Sequence, residues 1–485
     1  MRGRFVAALI ALALVVVAAL VAVRLLTGSD EAEGGPAPAA PTGASADDPA
    51  YDVALSTPVE DSYYPDRGDP GIDTLHYGLD LTWDPDAATL TGTADIALRA
   101  TADAERLQLD LLDALAVTSL TVDGEDVDFS QADDHLVIDL PVLADERHAL
   151  EISYAGTPAP VPAPTERSDF SSTGMNVTAD GELWTMQEPF GAFTWYPVND
   201  QPSDKAFYDF TIRAPEKWVG VANGVLGSRR VEDGRTVTEW HLSQPASSYL
   251  TTLAVGDFVE TKATSASGVP ISYWTHRGEP AAVRSLRATP AIMAWNEKHL
   301  GPYPFDSLGI VVVDSDSGME TQTLITLGNT DYTLSPAVIE HEMTHQWYGD
   351  LVSPTDWRDV WMNEGMTMFV QFAYEADQEG ISIDRRVRES AAAERESRAD
   401  SGPPGAYDAD EFGAGNIYYG PALMWNELRH RLGDRRFWSM VRTWPTVHAD
   451  GNATRKQYYD WLEQETGLEL TSFFNAWIMG ATTPR

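Results

Sequence analysis

The chain has 485 residues, of which 43% are hydrophobic, and this is enough apolar material for the cores of two or three domains. Its 33 Lys and Arg residues against 74 Asp and Glu residues give a formal net charge of −41, which repels phosphate backbones and argues against nucleic acid as a partner. Such a charge indicates a well-solvated surface, and it also attracts cationic groups such as protonated amines. Because the chain has no cysteine, any metal must be held by histidines and carboxylates.

The N-terminus carries an uncharged apolar run at residues 5 to 23, preceded by two arginines. That run is about long enough to cross a bilayer as a helix. We expect residues 1–27 to form an uncleaved signal anchor that places the rest of the chain outside the cytoplasmic membrane, whereas cleavage would give a secreted protein. Residues 28–50 are rich in Pro, Ala, Gly and acidic residues and predict a disordered linker.

Two folded domains are predicted after this linker. Residues 51–260 contain short alternating segments, such as 76–83 with Leu79, Leu81 and Trp83 on one face, and predict an antiparallel β domain with a sandwich or saddle shape. In residues 261–485, a helix is predicted to end at Gly301, a buried strand covers 308–314, and helical patterns dominate the remainder. The expected fold class is therefore α+β, with several domains.

Within the second domain, Ser335 followed by Pro336 predicts the start of a helix that runs through residues 337–349. His341 and His345 are four residues apart on this helix, so both imidazoles lie on one face and can reach a single ion. Glu342 lies beside them, where it can meet a water molecule without binding the metal.

A catalytic zinc site needs a third protein ligand and an open position. The next predicted helix, residues 359–375, offers Glu364 for this role. The alternative is an ordinary helix with surface imidazoles, since His-Glu-x-x-His arises by chance on the order of once in a hundred such chains. That alternative does not explain the apolar residues that flank the motif or the second helix with its glutamate.

The stretch HEMTHQWYGDLVSPTDWRDVWMNEGM, residues 341–366, resembles the zinc signature of the aminopeptidase N family of zinc metallopeptidases, the gluzincins, in which 18 residues separate the second histidine from the ligand glutamate. Residues 188–210 are similar to a stretch of that family's N-terminal β domain. The resemblance covers residues 70 to 485. It implies one zinc ion per chain, a thermolysin-like mixed α/β and largely helical catalytic domain, and a short member without the large helical C-terminal domain.

The resemblance also implies how a substrate amine is bound. Gly318, Met319 and Glu320 match the family's Gly-x-Met-Glu-Asn motif, with Thr321 in place of asparagine, and Glu320 would bind the free α-amino group. A second amine-binding glutamate is expected at Glu188. Gln187, its neighbour, is the alternative for this second role, and solvent exposure is the ordinary state of any single carboxylate.

The family's catalytic tyrosine, which stabilises the oxyanion, aligns with Tyr418. Gly420 and Pro421 replace the family's Lys-Gly pair, so Tyr419 stays an alternative, and either ring could simply pack. Taken together, the resemblance implies a zinc-dependent aminopeptidase in which Glu342 is the general base and peptides with a free N-terminus are the substrates. Two alternatives stay open: a zinc hydrolase of another substrate class, such as the epoxide-hydrolase relatives, and a catalytically silent surface binding protein.

Overall fold

The computed structural model describes residues 45–484. Its first half is built from strands that confirm the predicted β domain. In chain order these strands are β1 (Ile72–Asp84), β2 (Thr89–Ala100), β3 (Leu107–Asp110), β4 (Leu115–Val122), β5 (Glu125–Asp126), β6 (Phe129–Ala132), β7 (His135–Ile138), β8 (Arg147–Gly156), β9 (Val161–Pro162), β10 (Ser172–Val177), β11 (Leu183–Met186), β12 (Lys205–Pro215), β13 (Val219–Ala222), β14 (Val225–Glu232), β15 (Arg235–Ser247) and β16 (Leu253–Gly256).

The main sheet of the β domain has the strand order β14-β15-β12-β1-β2-β8-β4-β5. Its strand pairs are antiparallel except that β1 runs parallel to β12. Leu79, Leu81 and Trp83 alternate along β1 and are all at most 2% exposed, as the period-two pattern predicts. The smaller sheets have the orders β13-β16-β11-β10-β9 and β3-β7-β6.

The second half is mixed and then mainly helical. Its elements are β17 (Phe258–Thr264), β18 (Pro270–His276), α1 (Pro280–Leu286), α2 (Thr289–Leu300), β19 (Leu308–Val313), β20 (Gly318–Met319), β21 (Leu324–Gly328), α3 (Pro336–His345), β22 (Val352–Pro354), α4 (Trp361–Glu379), α5 (Ile383–Glu389), α6 (Ala391–Ser401), α7 (Asn416–Leu432), α8 (Asp434–Val447), β23 (Gly451–Ala453), α9 (Arg455–Thr466) and α10 (Thr471–Ile478). The sheet order is β17-β18-β19-β21-β20, and every residue of β19 is buried, which confirms the predicted buried strand.

One predicted helix is divided in the structure. The pattern before Gly301 forms two helices, α1 and α2, because Pro290 lies in the first turn of α2, where a proline starts a helix more readily than it continues one. The end at Gly301 is as predicted, with a φ of 101°.

The predicted signal anchor, residues 1–27, lies outside the described residues, as do residues 28–44 of the predicted linker. Within residues 45–484, no helix combines the length and apolarity that a membrane crossing requires. The last residues of the predicted linker are ordered, since Ala46 is 5% exposed and packs with Tyr51, Leu75 and Ala97. The predicted boundary at residue 260 falls inside β17 and stays a prediction.

Candidate active site

The helix that carries the two histidines begins as predicted. Ser335 caps α3 by accepting a hydrogen bond from the Val338 backbone N–H. The helix is shorter than predicted, because the backbone leaves helical geometry at Tyr348 and at Gly349, whose φ is 127°. This irregular turn lets the Tyr348 carbonyl accept a hydrogen bond from His345 Nδ1 at 3.0 Å.

The three predicted metal ligands converge. Glu364 Oε2 lies 3.3 Å from His341 Nε2 and 3.3 Å from His345 Nε2. Two donors bound tetrahedrally to zinc at about 2.0–2.1 Å are themselves about 3.3 Å apart, so the spacing fits zinc. Glu364 Oε2 is buried and has no hydrogen-bond partner among the described residues, as expected of an atom that binds an ion. The predicted set of two histidines and a glutamate can therefore hold a metal ion.

Hydrogen bonds to the second ring nitrogens orient both imidazoles. His341 Nδ1 donates to Gln371 Oε1 at 2.9 Å, and His345 Nδ1 donates to the Tyr348 carbonyl. Both acceptors are amide oxygens, so each ring carries its proton on Nδ1 and directs the lone pair of Nε2 towards Glu364. Gln371 is not among the predicted site residues, although it lies two turns after Glu364 on α4, and this spacing could have identified it.

Glu342 lies beside the ligands without joining them. It is 8% exposed, and burial raises its pKa to about 7, with His341 lowering it and Glu320 raising it. A carboxylate with such a pKa suits proton transfer near neutral pH. Its Oε1 stands close to Gly318, where an added Cβ would lie only 2.8 Å away, so a larger residue at that position would displace the Glu342 carboxylate.

Glu188 and Glu320 open into the same cavity of about 530 Å³ as the metal ligands. They are 9% and 3% exposed, and Oε1 of each has no hydrogen-bond partner among the described residues. Burial raises the pKa of both carboxyls, and Glu320 adds to the rise at Glu188. Carboxylate oxygens of Glu188, Glu320 and Glu364 lie within 4.8 Å of one another, so the cavity has a strong demand for positive charge.

Gln187 has a different environment. Its amide nitrogen donates to the Ser248 carbonyl at 2.7 Å and to Thr251 Oγ1 at 2.8 Å, and its oxygen accepts from Trp195 Nε1 at 2.9 Å. All of these contacts are inside the β domain, so the structure places Glu188, and not Gln187, in the cavity.

The segment that carries Glu320 is an edge strand followed by a turn. Gly318 and Met319 form β20, which pairs antiparallel with β21. The hydroxyl of Thr321 donates to the Leu324 carbonyl and lies 3.0 Å from Thr326 Oγ1. Threonine at the position of the family's asparagine therefore holds the turn that follows Glu320.

Tyr418 and Tyr419, on the first turn of α7, both line the cavity. The Tyr418 ring lies 6.0 Å from the His341 ring, and its hydroxyl accepts a hydrogen bond from Arg167 Nη1 at 3.4 Å. Burial holds the pKa of Tyr418 well above its usual value, and Glu364 adds to this effect, so the phenol keeps its proton and can donate it in a hydrogen bond. Tyr418 therefore has the geometry of a donor beside the metal ligands.

Models of two domains match the chain: the peptidase M1 N-terminal domain at residues 73–250 and the peptidase family M1 domain at residues 285–477. The chain belongs to peptidase family M1. Glutamyl aminopeptidase from Sus scrofa is 27% identical over 336 residues, 62% of this chain and 35% of the relative. Aminopeptidase N from Streptomyces lividans is 24% identical over 447 residues, 84% of this chain and 50% of the relative. The chain thus spans half or less of the length of these curated relatives.

Solved structures confirm the fold. The M1 zinc metallopeptidase from Deinococcus radiodurans matches with a TM-score of 0.78 and 24% identity over 88% of this chain and 98% of the other. A two-domain M1 zinc metallopeptidase mutant bound to L-arginine matches with a TM-score of 0.80 and 24% identity over 88% of this chain and 99% of the other. The predicted order, a β domain followed by a largely helical peptidase domain, is therefore confirmed.

Proposed function

We propose that the protein is a zinc-dependent aminopeptidase that hydrolyses the N-terminal peptide bond of peptides. The observation that carries this proposal is the pair of buried carboxylates, Glu188 and Glu320, which open into the cavity that the three metal ligands line and whose Oε1 atoms have no hydrogen-bond partner within residues 45–484. A buried carboxylate needs a charge-assisted partner, and the ammonium group of a peptide N-terminus supplies one. The M1 structures with bound L-arginine and with a Tyr-Ser-Ala substrate support amino acids and peptides as the class of ligand.

His341, His345 and Glu364 would hold the zinc ion, which when bound acts as a Lewis acid on the scissile carbonyl and acidifies water. Glu342 takes the proton from the attacking water and returns it to the leaving amine, which its pKa of about 7 allows. The Tyr418 hydroxyl donates a hydrogen bond to the carbonyl oxygen as negative charge develops there. These residue roles are proposals.

The position of the amine anchor determines which bond is cleaved. With the substrate ammonium held between Glu188 and Glu320, the first peptide bond reaches Glu342, and an internal bond has no free amine to place there. Gly318 has no side chain to fill the space beside Glu342, and Met319 lines the same cavity.

A variant of the proposed base tests this function. Glu342→Gln should reduce hydrolysis of aminoacyl p-nitroanilides by at least roughly 10²-fold while zinc content, measured by atomic emission on purified protein, stays at one ion per chain. Glu340→Gln is the matched control, because Glu340 is buried on the same helix, bonds to Thr344 and does not line the cavity. Turnover in Glu342→Gln equal to that in the control would exclude Glu342 as the base.

We further propose that residues 1–27 anchor the enzyme in the cytoplasmic membrane with its catalytic domain outside, and the apolar run at residues 5 to 23 is the support for this location. Cell fractionation followed by protease treatment of intact cells tests the proposal. Full-length protein in the membrane fraction that is degraded from outside is expected, while activity retained in the cytosol would contradict it.

A further inference from the structure

Arg167 reaches the cavity from the β domain and contacts two other segments of its wall. Its Nε and Nη2 donate to Asp169 at 3.2 and 2.6 Å, Nη1 donates to the Tyr418 hydroxyl at 3.4 Å, and Nη2 lies 3.5 Å from Ser317 Oγ. Ser317 directly precedes the Gly318–Met319 strand. One guanidinium therefore joins the β domain, the segment of the amine anchor and the helix of Tyr418.

The segment that carries Arg167, residues 164–169, is itself fixed against the catalytic domain. The Pro164 carbonyl accepts from the Phe412 backbone N–H at 2.9 Å, and Thr165 Oγ1 donates to the Phe412 carbonyl at 2.6 Å. An added Cβ at Gly413 would lie 3.1 Å from Arg167 Nη1, so the chain before α7 passes close to the guanidinium. This docking fixes the position of Nη1 relative to Tyr418.

We propose that Arg167 is a positioning residue that acts through Tyr418: by donating to the phenol oxygen, it directs the phenol's own proton towards the reacting carbonyl. This assignment rests on the function proposed above. A phenol has one proton, and its oxygen accepts hydrogen bonds along two lone pairs. Because an arginine never accepts a hydrogen bond, the Tyr418 proton has to point away from Arg167, and the Tyr418 ring lies 6.0 Å from the ring of the metal ligand His341.

A second role for Arg167, binding of a substrate carboxylate, is disfavoured by its contacts. Asp169 already takes two of its donors in a bidentate pair, which neutralises the guanidinium charge. The Nη1 group that remains faces Tyr418. The Arg167–Asp169 ion pair therefore has little net charge with which to attract an anion, and the Nη1 donor of Arg167 orients the Tyr418 hydroxyl.

Steady-state kinetics on an aminoacyl p-nitroanilide, which has no carboxylate, test the proposal. Arg167→Met keeps most of the side-chain length and removes the donors. We expect kcat to fall roughly 10- to 100-fold with KM changed by less than about twofold, because the contact matters when charge develops on the oxygen. Arg167→Lys, which keeps one charged donor, should recover part of kcat. Unchanged kcat in Arg167→Met would overturn the proposal.

A double-mutant cycle separates action through Tyr418 from a general structural effect. Once Tyr418→Phe has removed the hydroxyl, adding Arg167→Met should lower kcat by less than about twofold more. Equal losses in both backgrounds would show that Arg167 does not act through Tyr418. Suppose that wild type is active, that Tyr418→Phe is impaired, and that the effects of the two substitutions are additive. This result overturns the role of Arg167 and leaves the proposed function intact. A zinc-loaded wild type without activity would overturn both the proposed function and the role of Arg167.

A binding measurement provides a readout that needs no turnover. Calorimetry with an aminoalkylphosphonate, whose tetrahedral oxyanion meets the Tyr418 hydroxyl, should give at least about tenfold weaker binding in both Arg167→Met and Tyr418→Phe, while a free amino acid amide binds as in wild type. Arg167→Met could instead raise KM only for dipeptides with a free C-terminal carboxylate and leave the corresponding amides unaffected. That result would assign Arg167 to anion binding and overturn its role as a positioning residue.

Discussion

Gly365, the residue after the ligand Glu364, lies at the contact between helices α4 and α7. A Cβ added at this position would stand 2.2 Å from Pro421 Cβ, 3.1 Å from its Cγ and 3.4 Å from its Cα. Carbon atoms pack at about 3.5–4.0 Å, so Gly365→Ala requires the helices to separate by about 1.3 Å. The proline ring cannot rotate out of the way, and α7 carries Tyr418 three residues before it.

Two effects of Gly365→Ala on stability oppose each other. Alanine in a helix interior is favoured over glycine by about 1 kcal/mol, whereas overpacking costs about 1–3 kcal/mol, so we expect a net loss of stability of up to about 2 kcal/mol. The effect on turnover should be larger, because a shift of about 1 Å in a catalytic group costs roughly 100-fold in rate. The variant should therefore fold, hold zinc and lose most of its kcat.

The assay compares kcat on an aminoacyl p-nitroanilide, zinc content and melting temperature. Gly227→Ala is the control, since its Cβ would meet only the Glu239 carbonyl at an ordinary 3.6 Å. Pro421→Gly removes the Cβ that clashes, so Gly365→Ala should cost much less kcat in that background than in wild type. A Gly365→Ala variant that is more stable than wild type and fully active would refute the reasoning, because helix propensity alone would then decide the outcome.

Two further predictions concern the metal and the pH dependence of stability. Removal of zinc by chelation should lower the melting temperature, since a metal present at about 1,000 times its Kd stabilises the folded state by about 4 kcal/mol. Calorimetry with and without added zinc measures this difference. Equal melting temperatures would contradict a metal site at His341, His345 and Glu364. Although burial raises it, hydrogen bonds from His241 and His76 bring the pKa of Asp209 down to about 2. Because its pKa is near 3.9 in the unfolded chain, Asp209→Asn should cost about 2 kcal/mol at pH 6, and this difference should shrink as the pH falls from about 4 towards 2. Urea unfolding of both proteins at pH 6 and pH 3 checks it, and a difference that does not change with pH would point to lost packing instead.

The metal ligands could be predicted from the sequence because local rules determine their geometry. A spacing of four places His341 and His345 on one helical face whatever surrounds them, and Ser335-Pro336 fixes where that helix begins. Glu364 follows on the next helix, so only a short connection separates the three ligands. The alternation of Leu79, Leu81 and Trp83 is local in the same way.

Features that depend on distant contacts could not be predicted. Arg167 and Tyr418 are 251 residues apart, and nothing in the segment 161–170 distinguishes that arginine from one on the surface. The choice between Gln187 and Glu188 depends on which side chain the β domain satisfies internally, and this requires the positions of Ser248 and Thr251. The end of α3 was predicted too late, because the turn at Tyr348 is stabilised by the hydrogen bond to His345.

The charges around the cavity explain why a free amine should be selected. Glu364 would be balanced by the metal ion, and the two arginines of the cavity wall, Arg167 and Arg386, are already paired with Asp169 and Glu375. His345, 3.8 Å from Glu320, is a neutral ring that donates to the Tyr348 carbonyl, so among the described residues no unpaired cation lies beside Glu188 and Glu320. A substrate ammonium supplies that charge, whereas an N-acetylated substrate leaves both carboxylates buried and unpaired. Leaving a buried charge without its partner costs about 3–5 kcal/mol, so wild type should prefer free over N-acetylated substrates by more than about 100-fold in kcat/KM.

The variant Glu320→Ala tests this explanation. With one of the two carboxylates removed, the free amine loses a charge-assisted partner, which lowers kcat/KM for the free substrate. The acetylated substrate no longer leaves that carboxylate unpaired, which removes part of its penalty. The kcat/KM values of the two substrates should therefore become more similar. The measurement is the ratio of the two kcat/KM values in wild type and in the variant, at equal zinc content. Because a general disturbance of the site slows both substrates alike, a ratio that stays unchanged in Glu320→Ala would remove Glu320 as the amine anchor and leave Glu188 to carry the selection.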